Sequence, residues 1–281
     1  MWGGVWLGLG SILGTGVFVS IGTATQGAGV IIAITIGALV AVCNGLNSAQ
    51  LAASHPVSGG SYEYGYRYLN PWFGFTAGWL FLLAKSASAA TAALGLAYYL
   101  EDLGINLSPR LTAPIGVIIM TFLVFLGIKR SSLVNRTIVI VTLIALISFI
   151  GLGFTRLEKV TPSFNVKSIL QATALMFVAY TGYGRIATLG EEITEPKRTI
   201  PQAIWLTLGI SMAVYLGVGV VGVSSGIDRV LPSSAPLADL TKLWGYPVAG
   251  AVTAMAGVLL NLILGLSRIV LAMTYRQFLL N

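Results

Sequence analysis

The chain has 281 residues, of which 56% are hydrophobic and 9% charged, where soluble domains carry about 25% charged residues. The first charged residue is Glu63; no soluble fold needs so long an uncharged start, and a membrane protein crossing the bilayer many times does. The net charge of +7 does not indicate a nucleic-acid binder, because the Lys and Arg residues are scattered singly or in small groups between apolar runs, as in membrane loops.

A spanning helix needs about 20 apolar residues. On that measure eight segments follow in order, at 2–21, 30–52, 73–100, 112–128, 136–154, 168–190, 203–223 and 247–275. Gly and Pro cluster between several of them, as in "HPVSGG" at 55–60. With the N-terminus inside, the inner positions hold Arg67, Lys129, Arg130, Arg136, Lys197, Arg198, Arg268 and Arg276. The outer ones hold Arg110, Arg156, Lys159, Lys167, Arg229 and Lys242. This excess places the N-terminus on the cytoplasmic side. Cys43 stands alone, which excludes a disulfide framework and reads as a small buried apolar residue. His55 precedes a Pro in a loop, with no cluster around it that would hold a metal or perform catalysis. Nothing calls for a cofactor. The six Trp residues, Trp2, Trp6, Trp72, Trp79, Trp205 and Trp244, lie mostly near segment ends, as interfacial anchors do.

The first segment contains "GLGSILGTGVF" at 8–18 and the sixth contains "FVAYTGYG" at 177–184. Each places a Thr-Gly pair in mid-segment, Thr15-Gly16 and Thr181-Gly182. Such glycines either let helices pack closely or break the helix where its backbone faces a cavity. Two interrupted segments in corresponding positions of two halves point to a transporter's binding site. Counting from the first to the sixth gives the spacing of a five-plus-five inverted repeat. A broken helix offers free N–H groups that favour an anion and free carbonyls that favour a cation. Two such breaks side by side suit the carboxylate and ammonium of an α-amino acid.

"GLGSILGTGVF", "HPVSGGSYEYGYRYLNPWFGFTAGW", "FVAYTGYGRIATLGEEITEPKRTIPQAI" and "GLSRIVLAM" at 265–273 together resemble the amino acid–polyamine–organocation permeases, especially the bacterial amino acid permeases. The resemblance covers nearly the whole chain. It implies an all-α, leucine-transporter-type inverted-repeat fold in one transmembrane domain, with a first repeat at 1–154 and a second at 168–281. The family pattern needs at least ten segments, so the second repeat is expected to be incomplete and the chain a fragment of a longer permease. It further implies secondary active transport of α-amino acids across the cytoplasmic membrane by alternating access, as proton symport or as exchange (antiport). By resemblance the substrate carboxylate sits on N–H groups around Leu13, Gly14, Thr15 and Gly16. The ammonium sits on carbonyls around Val178, Ala179 and Thr181. Tyr180 is either an aromatic lid over the substrate or a packing residue.

The chain departs from the family pattern in two further ways. Many proton-coupled members carry a Lys in the fifth segment; residues 137–154 have none, and Lys85 lies in the third instead, about 12 residues in from Phe73 and so roughly 18 Å deep. A charge there costs on the order of 2.5–3.5 kcal/mol. Lys85 could relay a proton or replace a sodium ion, cap the carbonyls of a broken helix, or snorkel to an interface. Where some relatives place a carboxylate after the sixth-segment break, this chain has Gly184 and Arg185. No acidic residue lies within the membrane segments, which favours neutral substrates. Arg185 either gates the inner vestibule or binds the charged loop at 190–201, where Glu191 and Glu192 fall. In sodium-coupled proteins of this fold hydroxyls on the eighth segment help to coordinate sodium; Ser267 falls there, but Lys85 argues against sodium. The alternative to a transporter is a non-transporting amino-acid sensor or accessory subunit on the same scaffold.

Overall fold

The structure is a computed structural model that describes residues 1–14, 16–21, 29–57, 59–102, 104, 107–125, 128–158, 165–188, 195–227, 233, 236–245 and 263. Thr15, Glu191, Glu192, Ser267 and Arg268 lie outside the described residues, as does the eighth segment apart from Ile263.

The described chain is all-α. The first segment is α1 (Trp2–Ile12) followed by a π-helical turn (Gly16–Ser20). Then come α2 (Gly29–Ser54), the short α3 (Ser61–Tyr68), α4 (Pro71–Asp102), α5 (Pro109–Phe125) and α6 (Ile128–Phe154). The sixth segment is α7 (Val166–Tyr180), a 3-10 turn (Thr181–Tyr183) and α8 (Gly184–Ala187). It is followed by α9 (Pro196–Ser224) and α10 (Pro236–Leu243). Among the described residues, four helices are long and apolar enough to cross a membrane, within α2, α4, α6 and α9. α5 is a shorter apolar helix of 17 residues. The first and sixth segments are apolar but divided, as "GTG" and "YTGYG" lead one to expect.

Local chemistry sets the boundaries. The Asn165 side chain accepts from the amides of Lys167 and Ser168 at 3.0 and 3.4 Å, capping the start of α7. Pro196 opens α9, where a missing N–H costs nothing. α2 buries a stripe of small residues, among them Ala33, Gly37, Ala41, Gly45 and Ala49, which lets its neighbours approach closely. A Cβ on Gly37 would stand 3.1 Å from the Phe177 amide nitrogen of α7, and one on Gly45 would stand 2.8 Å from Leu208 of α9.

The packing is reciprocal. α1 lies against α9, α7 lies against α2, and α2 and α9 pack on each other. First with seventh and sixth with second is the pairing that a two-fold relation between repeats requires. α6 packs on α1 and α9, while α4 packs on α3 and α5. Ile263, from the eighth segment, rests against a cluster formed by Ala89, Ala92, Ala93, Ala97 and Ala113.

Two expectations need correction. Cys43 is exposed on α2 rather than buried; the helix is apolar on every side, so apolarity alone does not identify its inner face. Trp244 is no interfacial anchor. It is buried, its ring 5.1 Å from that of Phe149.

The first segment is tied to its neighbours on both sides of its break. Asn135 of α6, wholly buried, donates from Nδ2 to the Trp6 carbonyl at 2.9 Å. Tyr99 of α4 donates its hydroxyl to the Phe18 carbonyl at 2.9 Å, its ring edge-on to Phe18. Asn135→Leu is expected to lower stability by on the order of 1 kcal/mol, read as a lower thermal unfolding midpoint in detergent. An unchanged midpoint would show that the bond contributes nothing.

Candidate functional site

α1 ends because Leu13 leaves helical geometry, with φ −74° and ψ 89°. Its amide still donates to the Leu9 carbonyl at 2.8 Å. Beyond the break, the amides of Val17 and Phe18 both donate to the Gly14 carbonyl at 3.0 Å, where the chain enters the π-helical turn Gly16–Ser20. Such turns occur often at functional sites. Among the described residues no hydrogen bond engages the amides of Gly14 and Gly16.

The second break is tighter than two separated half-helix ends. Tyr180, Thr181 and Gly184 all stay in right-handed helical territory, and the chain passes through a 3-10 turn. The Val178 carbonyl accepts both the Thr181 amide and, at 2.7 Å, the Thr181 hydroxyl. Its acceptor capacity is therefore used, and the Val178 side chain points outward. The Thr181 carbonyl accepts the Gly184 amide and keeps a second lone pair.

The two breaks touch. A Cβ on Gly182 would lie 2.6 Å from the backbone C and O of Ser11, just before the first break. A Cβ on Gly16 would collide with Ala179, just before the second. Both uses of glycine named from the sequence thus coincide, since each break holds a glycine that admits the other segment's backbone.

A buried tyrosine pair completes the junction. The rings of Tyr180 and Tyr215 lie 4.9 Å apart, and neither is exposed. Tyr215 of α9 donates its hydroxyl to the Ile12 carbonyl at 2.6 Å, satisfying the end of α1. The hydroxyl of Tyr180 is buried and has no partner among the described residues, and the same holds for Thr142, Thr207 and Ser211. Thr207, Ser211 and Tyr215 are spaced by four on α9, the spacing of one helix face. A Cβ on Gly8 would be 2.7 Å from Thr207, so that face meets α1. Thr142 follows Asn135 by seven residues, two turns along the same side of α6. Buried hydroxyls are ordinarily hydrogen-bonded, so those of Tyr180, Thr207 and Ser211, without partners among the described residues, make this region a candidate polar site.

Sequence reasoning named Tyr180 but missed Tyr215, Ser211, Thr207 and Thr142. The four-residue spacing in "TLGISMAVY" was the available signal.

Arg185 is buried on α8. Its Nη1 donates to the Thr188 hydroxyl at 2.7 Å, which in turn donates to the Arg185 carbonyl at 2.8 Å. The guanidinium thus braces the end of its own helix. Beside it, the Tyr64 hydroxyl of α3 donates to the Ala187 carbonyl at 3.4 Å. Burial, reinforced by Tyr68, pushes that hydroxyl well above its ordinary range. Lys85 is half-buried on α4, its Nζ 5.6 Å from the centre of the Phe81 ring one turn earlier. No hydrogen bond or ion pair joins it to either break among the described residues.

Fold and site together define a membrane protein that crosses the bilayer many times, built around two interrupted helices. Residues 3–274 match the amino acid permease family, and the chain belongs to that family. An uncharacterized transporter of Mycobacterium tuberculosis is 39% identical over 283 residues, which cover 95% of this chain and 63% of the relative. A branched-chain amino acid permease of Bacillus subtilis is 31% identical over 303 residues, covering 95% and 65%. A methylthioribose transporter of the same organism is 28% identical over 302 residues, covering 96% and 63%. The chain spans just under two thirds of the length of these relatives.

Proposed function

We propose that the chain carries the substrate site of a secondary transporter of neutral α-amino acids in the cytoplasmic membrane, with its N-terminus inside, working by alternating access as a proton symporter or an exchanger. The observation that supports this best is the junction of the two breaks, where the backbones of the two segments meet and the buried Tyr180 hydroxyl has no partner among the described residues. The carboxylate is assigned to the amides around Leu13, Gly14, Thr15 and Gly16, where the half-helix beyond the break favours an anion. The ammonium is assigned to the carbonyls of Ala179 and Thr181, with Val178 contributing only backbone shape. Tyr180 covers the substrate. The two repeats, 1–154 and 168–281, rock against each other around this point.

Neutral substrates are favoured because no acidic residue lies within the membrane segments to meet a cationic side chain. The likeness to a branched-chain amino acid permease of Bacillus subtilis agrees with an apolar substrate side chain. Arg185 is placed as part of the inner gate through its hold on Thr188.

The test is counterflow of the twenty amino acids into proteoliposomes. Saturable accumulation of some of them, but not of their decarboxylated amines, is expected. Folded, inserted protein that binds amino acids without flux would instead indicate a sensor or subunit. Lys85 is assigned to proton coupling, because a lone cation in a membrane helix is costly unless used. Lys85→Ala is expected to abolish pH-driven uptake while leaving substrate binding measurable. Unchanged pH dependence of uptake in that variant would remove Lys85 from the mechanism.

A further inference from the structure

We propose that the cleft between α1 and the beginning of α6 binds the phosphate headgroup of an anionic phospholipid. The cleft has a volume of about 550 Å³ and is lined by Trp2, Gly3, Trp6, Ser132 and Arg136. The Arg136 guanidinium lies 5.7 Å from the centre of the Trp6 ring, an aromatic contact that orients the cation. Asn135, next to it, fixes this end of α6 to α1 through the Trp6 carbonyl.

Charge and shape both select an anion with acyl chains. No acidic residue occurs between Asp102 and Glu158, or anywhere on α1, while Lys129 and Arg130 belong to the first turn of the same helix as Arg136. Arg offers a planar fork that matches a phosphate, and the Ser132 hydroxyl, one turn away, adds a donor. Ser132 and Arg136 continue along α6 into Ile140, Ile144 and Ile147, the same helix face at spacings of four and three. All three isoleucines are exposed. A phosphate held at Arg136 therefore has an apolar stripe beneath it for its acyl chains. Trp2 is also exposed, and tryptophan is the residue type that gathers at the headgroup level of a bilayer. A free anion would use the cation but not the stripe.

The cleft can be narrowed without removing its charge. A Cβ on Gly3 would meet no atom within 4 Å, so a Gly3→Leu side chain starts into open space. The experiment is thermal unfolding of the detergent-solubilised full chain titrated with phosphatidylglycerol, phosphatidylcholine or inorganic phosphate. The wild-type midpoint is expected to rise saturably with phosphatidylglycerol and little with the other two. Arg136→Gln is expected to weaken the apparent affinity about tenfold, the scale of one charge-assisted hydrogen bond, Arg136→Lys to weaken it less, and Gly3→Leu to weaken it by occupying part of the cleft. An equal rise with phosphatidylcholine, or wild-type responses from both Arg136→Gln and Gly3→Leu, would overturn the proposal. The same rise with inorganic phosphate would assign the cleft to a free anion and overturn the lipid. Should Arg136→Gln fail to fold, Gly3→Leu decides the matter alone.

Discussion

Gly182→Ala is expected to cut counterflow severely, while Gly184→Ala, two residues away, is expected to be tolerated. The added methyl at Gly182 would lie 2.6 Å from the backbone of Ser11, which cannot rotate aside as a side-chain tip can. The methyl at Gly184 would meet nothing within 4 Å. Overpacking costs about 1–3 kcal/mol, which corresponds to about 5- to 150-fold in affinity if it falls on the substrate-bound form. The measurement is saturable uptake by both variants at matched amounts of inserted protein. Equal activities would show that the two breaks do not depend on their contact, and the reading of the junction would fail.

The second large effect separates the two tyrosines. Tyr215→Phe removes the donor to the Ile12 carbonyl and leaves that acceptor buried at a helix end. A buried group left without its partner costs about 1–3 kcal/mol, so a clear drop in thermal stability is expected. Tyr180→Phe removes a hydroxyl that has no partner among the described residues; stability should hold or rise slightly. If the hydroxyl meets substrate, the concentration for half-maximal uptake should rise about five- to tenfold, the value of one hydrogen bond. Unaltered uptake by Tyr180→Phe would reduce Tyr180 to a packing residue.

Much of the architecture is legible because the bilayer imposes a length on every spanning helix. Seven of the eight expected segments coincide with helices or divided helices, five of them to within about three residues, while α6 and α9 begin eight and seven residues before the expected starts at 136 and 203; Ile263 is the described point of the eighth. The positions of both breaks are legible because a Thr between or beside glycines is out of place in mid-membrane. The form of the second break is not, because its 3-10 geometry depends on Gly182 resting against Ser11, a contact between residues far apart in sequence. Tyr215, Ser211 and Thr207 are hidden for a related reason. In a helix apolar on all sides, polar residues every fourth position show which side is special but not what they face. Asn135 is masked by the neighbouring Arg136, whose charge marks the stretch as a loop edge.

Asn135 holds the first segment before its break and Tyr99 holds it after, so the two pieces of that segment are fastened to different helices, α6 and α4. Each bond is on the order of 1 kcal/mol, small beside the burial of Val5, Leu9 and Ile12 before the break and of Val17, Phe18 and Ile21 after it. The break therefore divides the segment into two separately anchored pieces, and the loss of either tether leaves the other piece's anchor in place.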